Sequence, residues 1–366
     1  MRHLQDIFND MWKEAKAAGN VVGIFSSSKD TSVQKENSVA PVAHTTPESH
    51  KIEVGSFVKK PEYFFWSALI LALVLLAQGE RPETASAVPE VSVNEEAPAV
   101  NPFEHLALEA RAAFVYDAKT KETLYAKNAE EELPLASLTK IMTAATALTL
   151  LPEDTQIRID SEDLSTEGDT RLRPGEVWKL RDLLQFLLIE SSNDGAQAVS
   201  TRAGMIASGI PDREAGRIFF IARMNTLGKE LGLTSTFFRN ETGLDQSASA
   251  VGAMSNAREA AHMLAATLSR FPGVFRATKW SDLLLSSEDG TSRRAHNTNK
   301  SADRFPLLLA SKTGYTDLAG GNLVVAFDAG FGHPIVIAVM GSTLEGRFTD
   351  AEKLVWATLA SLQQKQ

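Results

Sequence analysis

The chain has 366 residues, 43% hydrophobic and 23% charged, with a formal net charge of −9 and no cysteine. That length exceeds one average domain, and the composition is ordinary for a globular protein. The negative balance argues against nucleic acid as a partner, and the lack of cysteine excludes a disulfide framework, a thiol nucleophile and Cys-ligated zinc.

Residues 1–60 read as a largely flexible segment. Leu4, Ile7, Phe8, Met11 and Ala15 recur at helical spacing before Gly19, which suits a short soluble helix. Val21 to His50 is crowded with Ser, Thr, Asn and Lys, a composition that cannot bury a core. Tyr63 to Ala77 is then a hydrophobic run interrupted only by Ser67. Its ~15 residues fall short of the roughly 20 that span a bilayer comfortably. Yet it lacks a polar face, follows Lys59-Lys60 and precedes a Pro/Glu-rich stretch, so neither flank offers a fold to bury it. Residues 61–79 are therefore expected to be a transmembrane signal anchor. A cleaved signal peptide is the rival, because Ala85-Ser86-Ala87 resembles a small-x-small cleavage site. Lys51, Lys59 and Lys60 should stay in the cytoplasm, placing everything after the anchor outside it, on the periplasmic or cell-wall side. Residues 80–102 carry Pro82, Pro89, Pro98 and Pro102 and read as an extended linker.

The folded domain is expected over residues 103–366. Ala112–Asp117 and Glu122–Ala126 read as strands joined by a polar turn. Helical patterns follow at Ser137–Leu150, Leu180–Glu190, Arg217–Leu231, Ala257–Ser269 and Asp350–Leu362. Two late apolar strands, Asn322–Phe327 and Pro334–Met340, flank Gly330 and Gly332. Strands at both ends with helices between them predict an α/β (α+β) domain with one antiparallel sheet built from both termini. The two hairpins must then meet edge to edge, which brings the Lys312 strand beside the helical region.

Three strings stand out in that order: Ser137-Leu138-Thr139-Lys140, Ser191-Ser192-Asn193 and Lys312-Thr313-Gly314. Ser-x-x-Lys also occurs at Ser26/Lys29, Ser32/Lys35 and Ser56/Lys59, and Ser-x-Asn at Ser92/Asn94, all in polar or Pro-rich contexts. The three selected strings instead lie before an apolar helix, after a Leu-rich helix and before a β-like run. A serine hydroxyl needs a base to take its proton. Residues three apart share a helix face, so Lys140 lies within reach of the Ser137 oxygen. Lysine is a base only when neutral, which burial and a second cation, here Lys312, both favour. Ser191 offers a hydroxyl that can relay a proton to a leaving nitrogen. The Asn193 amide can hold a substrate carbonyl and the Lys140 amine. The bland alternative for both is a helix-connecting turn. Lys312 supplies positive potential, Thr313 a hydroxyl for a carboxylate, and Gly314 room for another backbone at a sheet edge. The backbone N–H groups of Ser137 and Tyr315 can form an oxyanion hole. Such a set runs acyl transfer without histidine, and neither a metal nor a cofactor is expected. His262 and His333 read as structural.

These strings resemble the signature of the low-molecular-mass penicillin-binding proteins, the D-alanyl-D-alanine carboxypeptidase family. The likeness runs from about Phe103 to Gln366. It extends to Asn240-Glu241-Thr242-Gly243-Leu244-Asp245, Met254-Ser255-Asn256-Ala257-Arg258-Glu259, Asn297-Thr298-Asn299 and Tyr315-Thr316. The resemblance implies the β-lactamase/DD-peptidase-like fold, an antiparallel sheet flanked by helices with an inserted helical region. It implies that Ser137 attacks D-Ala-D-Ala termini of peptidoglycan stem peptides with Lys140 as base and Ser191 as proton donor. It implies as well that β-lactam antibiotics acylate Ser137. The family also uses an arginine near the last strand for the substrate carboxylate, and Arg347 is the candidate here. Many members carry a further β-rich domain and a C-terminal amphipathic anchor. Neither is expected after the Asp350 helix, so the Tyr63 segment would tether the protein from the other end. D,D-endopeptidases within the family leave the cross-link open as a second substrate. A β-lactamase is less expected, since Ser192 stands where class A enzymes have Asp and no Glu-x-Glu-Leu-Asn string follows. A non-catalytic penicillin-binding sensor would not need the intact reactive set.

Overall fold

The computed structural model describes residues 101–164, 167–168 and 171–365. The expected anchor, the segment before it and almost all of the linker lie outside the described residues. Among the described residues, no helix is long and apolar enough to cross a membrane.

Strands β1 (Ala112–Asp117) and β2 (Thr123–Lys127) form the first hairpin. The Asp117 carboxylate fixes its turn by accepting from the backbone N–H groups of Lys119 and Thr120 at 2.9 and 3.0 Å. The last three strands are β3 (Leu308–Thr316), β4 (Gly320–Asp328) and β5 (Pro334–Ser342). The five-stranded sheet runs β3-β4-β5-β1-β2, and each neighbouring pair is antiparallel. The hairpins from the two ends of the domain join through β1 and β5, with Ala112 opposite Met340 and Asp117 opposite Ile335. The strand bearing Lys312 is therefore an edge strand, as the sequence predicts.

Side chains alternate between the two sheet faces. Phe114, Val324, Ala326, Val336 and Met340 face a core shared with the helical region. Val115, Val325, Phe327, Ile337 and Val339 face a second core against the C-terminal helix. Because both faces are covered, these strands are apolar throughout rather than alternating.

The helices are α1 (Thr139–Leu150), α2 (Leu180–Glu190), α3 (Asn193–Ser208), α4 (Arg213–Glu230), α5 (Ala257–Arg270) and α6 (Gly346–Gln364). Residues 139–147 of α1 are buried on every side, as expected for a helix without a polar face. Two differences from the sequence reading matter. First, the sequence reading placed Asn193 in a turn and assigned no helix after it, where α3 stands; this helix is rich in Ala, Ser, Thr and Gly, so no strong apolar stripe announces it. Small residues serve a purpose there: a Cβ on Gly204 would sit 1.9 Å from the carbonyl oxygen of Gly216 in α4. The two helix backbones touch, and only glycine fits. Second, Ser137 neither caps nor opens α1. It lies in a short 3-10 turn, Ala136–Leu138, just before it. A hairpin of Asp282–Ser286 and Ser292–His296 is an addition that the sequence reading did not include.

Candidate active site

The turn carrying Ser137 is held from three directions. Leu133 and Pro134 pair with Ser255 and Met254, and Leu135 N–H donates to Ala253 O at 3.1 Å. Asn322, fully buried on β4, donates its amide to Pro134 O and Leu135 O at 2.9 and 3.2 Å. From β3, Gly314 approaches so closely that a Cβ there would lie 2.8 Å from Leu135 O and 3.2 Å from Ser137 N. Gly314 is thus the residue that lets the edge strand and the serine turn meet backbone to backbone. Ala136, immediately before the serine, is buried with φ of +47°, a left-handed geometry that costs about 1–3 kcal/mol for a residue with a Cβ.

Lys140 is wholly buried in the first turn of α1. Its Nζ lies 2.8 Å from Ser137 Oγ, 2.7 Å from Asn193 Oδ1 and 2.9 Å from Thr242 O. Two of these partners are carbonyl oxygens, which only accept. A neutral amine can give its two N–H groups to them and turn its lone pair to the serine hydroxyl. Burial, which penalises the charged form, brings its pKa down to about 7, with Glu241 opposing the fall.

Ser191 ends α2 in a left-handed conformation, φ +61°, and its Oγ lies 2.9 Å from Lys312 Nζ. The following residue, Ser192, caps α3 by accepting from Gly195 N–H at 2.9 Å, so the paired serines divide between site and scaffold. Asn193 opens α3, and its Nδ2 donates to Glu167 O at 2.5 Å while Oδ1 accepts from Lys140. Lys312 Nζ also donates to Thr313 O at 2.8 Å. Burial, then the like charges of Lys140 and Arg347, hold Lys312 well below the ordinary lysine range. At Lys140 the lowering cause is burial rather than the Lys312 charge that the sequence suggested, whereas Lys312 is lowered by burial and then by Lys140.

Thr313 Oγ1 lies 2.7 Å from Thr298 Oγ1, and Thr298 N–H donates to Ile189 O at 3.1 Å. Arg347 is no solvated loop residue. It is 7% exposed in the first turn of α6, and Nη1 donates to Gly314 O at 2.7 Å. Tyr315, next along β3, is exposed.

The structure therefore gathers Ser137, Lys140, Asn193, Ser191, Lys312, Thr313, Gly314 and Arg347 along one chain of contacts. It adds residues given no role by the sequence. Asn240 Oδ1 accepts from Thr242 N, Thr242 Oγ1 and Gly243 N at 3.2, 3.1 and 2.7 Å, shaping the carbonyl that holds Lys140. Gly243, at φ +79°, packs where a Cβ would lie 1.9 Å from Ala136 O. The Asn240 string thus builds the floor under Ser137 and Lys140. His333 pairs with Asp117 at 2.7 Å, and His262 meets Tyr116 edge to face beside the helical core. Among the described residues, no group of acidic or histidine side chains could hold a metal ion.

Comparison with known proteins bears on this geometry. The chain is 29% identical over 256 residues to D-alanyl-D-alanine carboxypeptidase DacF of Bacillus subtilis, covering 68% of this chain and 62% of that one. It is 29% identical over 252 residues to the D-alanyl-D-alanine endopeptidase of Escherichia coli, covering 66% and 75%. Penicillin-binding protein D2 of Listeria monocytogenes, solved with ampicillin bound, superposes with a TM-score of 0.58 at 29% identity, covering 69% of this chain and 98% of that one. The chain spans about three fifths of the length of the carboxypeptidases DacF and DacC that it matches. The family model described as D-alanyl-D-alanine carboxypeptidase matches residues 96–343, a span that holds the serine turn, both lysines and the edge strand, and on that match the chain belongs to the D-alanyl-D-alanine carboxypeptidase family.

Proposed function

We propose that this protein is a serine D,D-peptidase that removes the terminal D-alanine from peptidoglycan stem peptides ending in D-Ala-D-Ala. The observation that carries the reading is the Lys140 amine, buried, 2.8 Å from Ser137 Oγ and braced by two carbonyl oxygens. A stem peptide would lie along the free edge of β3 as an added strand. Arg347 and the Thr313 hydroxyl would hold its terminal carboxylate, with Lys312 adding positive potential, and Asn193 would hold a peptide carbonyl. Ser137 Oγ would attack the penultimate carbonyl carbon as its proton passes to Lys140 Nζ. The backbone N–H groups of Ser137 and Tyr315 would stabilise the oxyanion. Ser191, backed by Lys312, would pass a proton to the leaving amine and regain one from Lys140 Nζ, which returns the lysine to its neutral form as D-alanine departs. Water, deprotonated by Lys140, would then cleave the acyl-enzyme and restore Ser137. β-Lactams would acylate the same oxygen, as the ampicillin-bound neighbour makes reasonable.

Location is part of the proposal. Residues 61–79 would anchor the protein in the cytoplasmic membrane, with 1–60 inside and 80–102 as a linker. The catalytic domain, 103–366, would then face the cell wall. Likeness to an endopeptidase favours one second reading, hydrolysis of D,D-cross-links. Incubating the full-length protein with a pentapeptide and with a cross-linked muropeptide dimer distinguishes them by mass. Loss of one alanine from the pentapeptide supports the carboxypeptidase. Cleavage of the dimer alone supports the endopeptidase, and no change in either substrate refutes both.

A further inference from the structure

Glu241 is a buried acid beside the site to which the acyl-transfer steps assign nothing. It is 2% exposed. Its own carbonyl accepts from Thr143 Oγ1 at 2.7 Å, and the next carbonyl, Thr242 O, accepts from Lys140 Nζ at 2.9 Å. Both donors stand on α1, one turn apart, so this segment is pinned to the helix through Lys140 itself. The Glu241 carboxylate meets α4, where Arg217 Nε lies 3.2 Å from each of its oxygens. Arg217 Nη1 in turn lies 3.3 Å from Glu214.

A bare carboxylate in this water-poor setting would favour the ammonium form of Lys140 and so idle the base. Other charged groups on the surrounding elements are Lys312 on β3, Asp245 beyond Glu241, Glu214 on α4 and Asp194 in the first turn of α3. Glu241, rather than any of these, is the acid that opposes proton loss from Lys140, and Arg217 is its direct counter-charge.

We infer that Arg217 and Glu241 form a positioning pair that sets the pH range in which Lys140 works as a base, with Arg217 offsetting the negative charge that Lys140 would otherwise feel. The inference rests on the reading of Lys140 as the general base. Neither residue touches the reacting atoms. They act through the backbone and the field at Nζ.

The test is the rate constant for acylation of the full-length protein by a fluorescent penicillin, followed from about pH 5 to about pH 9. Arg217→Gln should move the acid limb to higher pH, cutting the rate near pH 6 by about threefold or more while the high-pH plateau is kept. Glu241→Gln should move the limb the other way and raise that rate. The double variant should lie between the two single variants, because the opposite charges of Arg217 and Glu241 add at Nζ. Arg217→Lys, which keeps the charge and guards against misfolding as an explanation, should leave the limb in place. Limbs that coincide in all four variants, whatever their melting temperatures, would overturn the inference while leaving the acyl-enzyme intact. Wild-type protein that takes no label would instead overturn the underlying reading.

Discussion

Gly314→Ala isolates the meeting of the edge strand and the serine turn. The added methyl would lie 2.8 Å from Leu135 O, 3.2 Å from Ala136 Cβ and 3.2 Å from Ser137 N. A comfortable carbon–oxygen separation is about 3.3–3.6 Å, so the two backbones must part by roughly 0.5 Å. Leu135 cannot retreat freely, because Asn322 and Ala253 hold it from two other sides. Overpacking of this kind costs about 1–3 kcal/mol of stability. The larger effect is functional, since the gap separates Ser137 N–H from Tyr315 N–H. Loss of one oxyanion donor costs about 10²–10³ in rate, and a half-ångström misplacement should forfeit about tenfold or more. The assay is acylation by a fluorescent penicillin at neutral pH beside a thermal melt. Gly273→Ala, where nothing lies within 4 Å of the added methyl, is the control and should behave as wild type. Should Gly314→Ala acylate within about twofold of wild type, the close-approach argument is wrong.

Other predictions follow the same contacts. Acylation should decline as pH falls through about 7, because protonation of Lys140 removes the base; a rate flat from pH 8 to pH 5 contradicts this. Folding lowers the Lys140 pKa from 10.5 to about 7. The unfolded chain therefore binds more protons between those values, and stability rises with pH across that window. Below about 7 the burial penalty is complete, on the order of 4–5 kcal/mol. Lys140→Met should thus lose all acylation, and its stability relative to wild type should fall steadily from pH 7 to pH 10 in chemical denaturation. A constant difference would reject the buried neutral amine. Thr298→Val removes the partner of the Thr313 hydroxyl and should raise KM for a carboxylate-ended peptide severalfold, about 1 kcal/mol, with kcat changed less. Thr298→Ser should restore it. Asn240→Ala removes the acceptor for Thr242 N–H, Thr242 Oγ1 and Gly243 N–H and should destabilise the domain by about 1–3 kcal/mol in a thermal melt, with slower acylation.

Chemistry was more legible in the sequence than architecture. Ser137, Lys140, Ser191, Asn193 and Lys312 could be named because reactive side chains recur in a fixed order beside recognisable apolar helices. The sheet was legible too, since β4 and β5 are continuous apolar runs. Helix α3 was not, because its burial depends on small residues packing against α4 rather than on a hydrophobic stripe. Gly243 shows the same limit, because its meaning lies in the distant Ala136 carbonyl, against which a Cβ would collide; Gly314 could be read as room for another backbone, but not for which one. Of the two carbonyl supports for Lys140, Asn193 was legible and Thr242 was not: Thr242 contributes a main-chain carbonyl, which every residue possesses, and no side-chain type marks it. Arg347 was named by likeness alone, and its contact with Gly314 O supplies a physical reason for a cation at that place.

Formation of a covalent acyl-enzyme on Ser137, with Lys140 as its base, can be read by peptide mapping with mass spectrometry after brief exposure of the full-length protein to a penicillin. A single ring-opened adduct should appear on the peptide carrying Ser137 and be lost in Ser137→Ala and in Lys140→Met. An adduct on another residue, or one that persists in Lys140→Met at the wild-type rate, would contradict this chemistry.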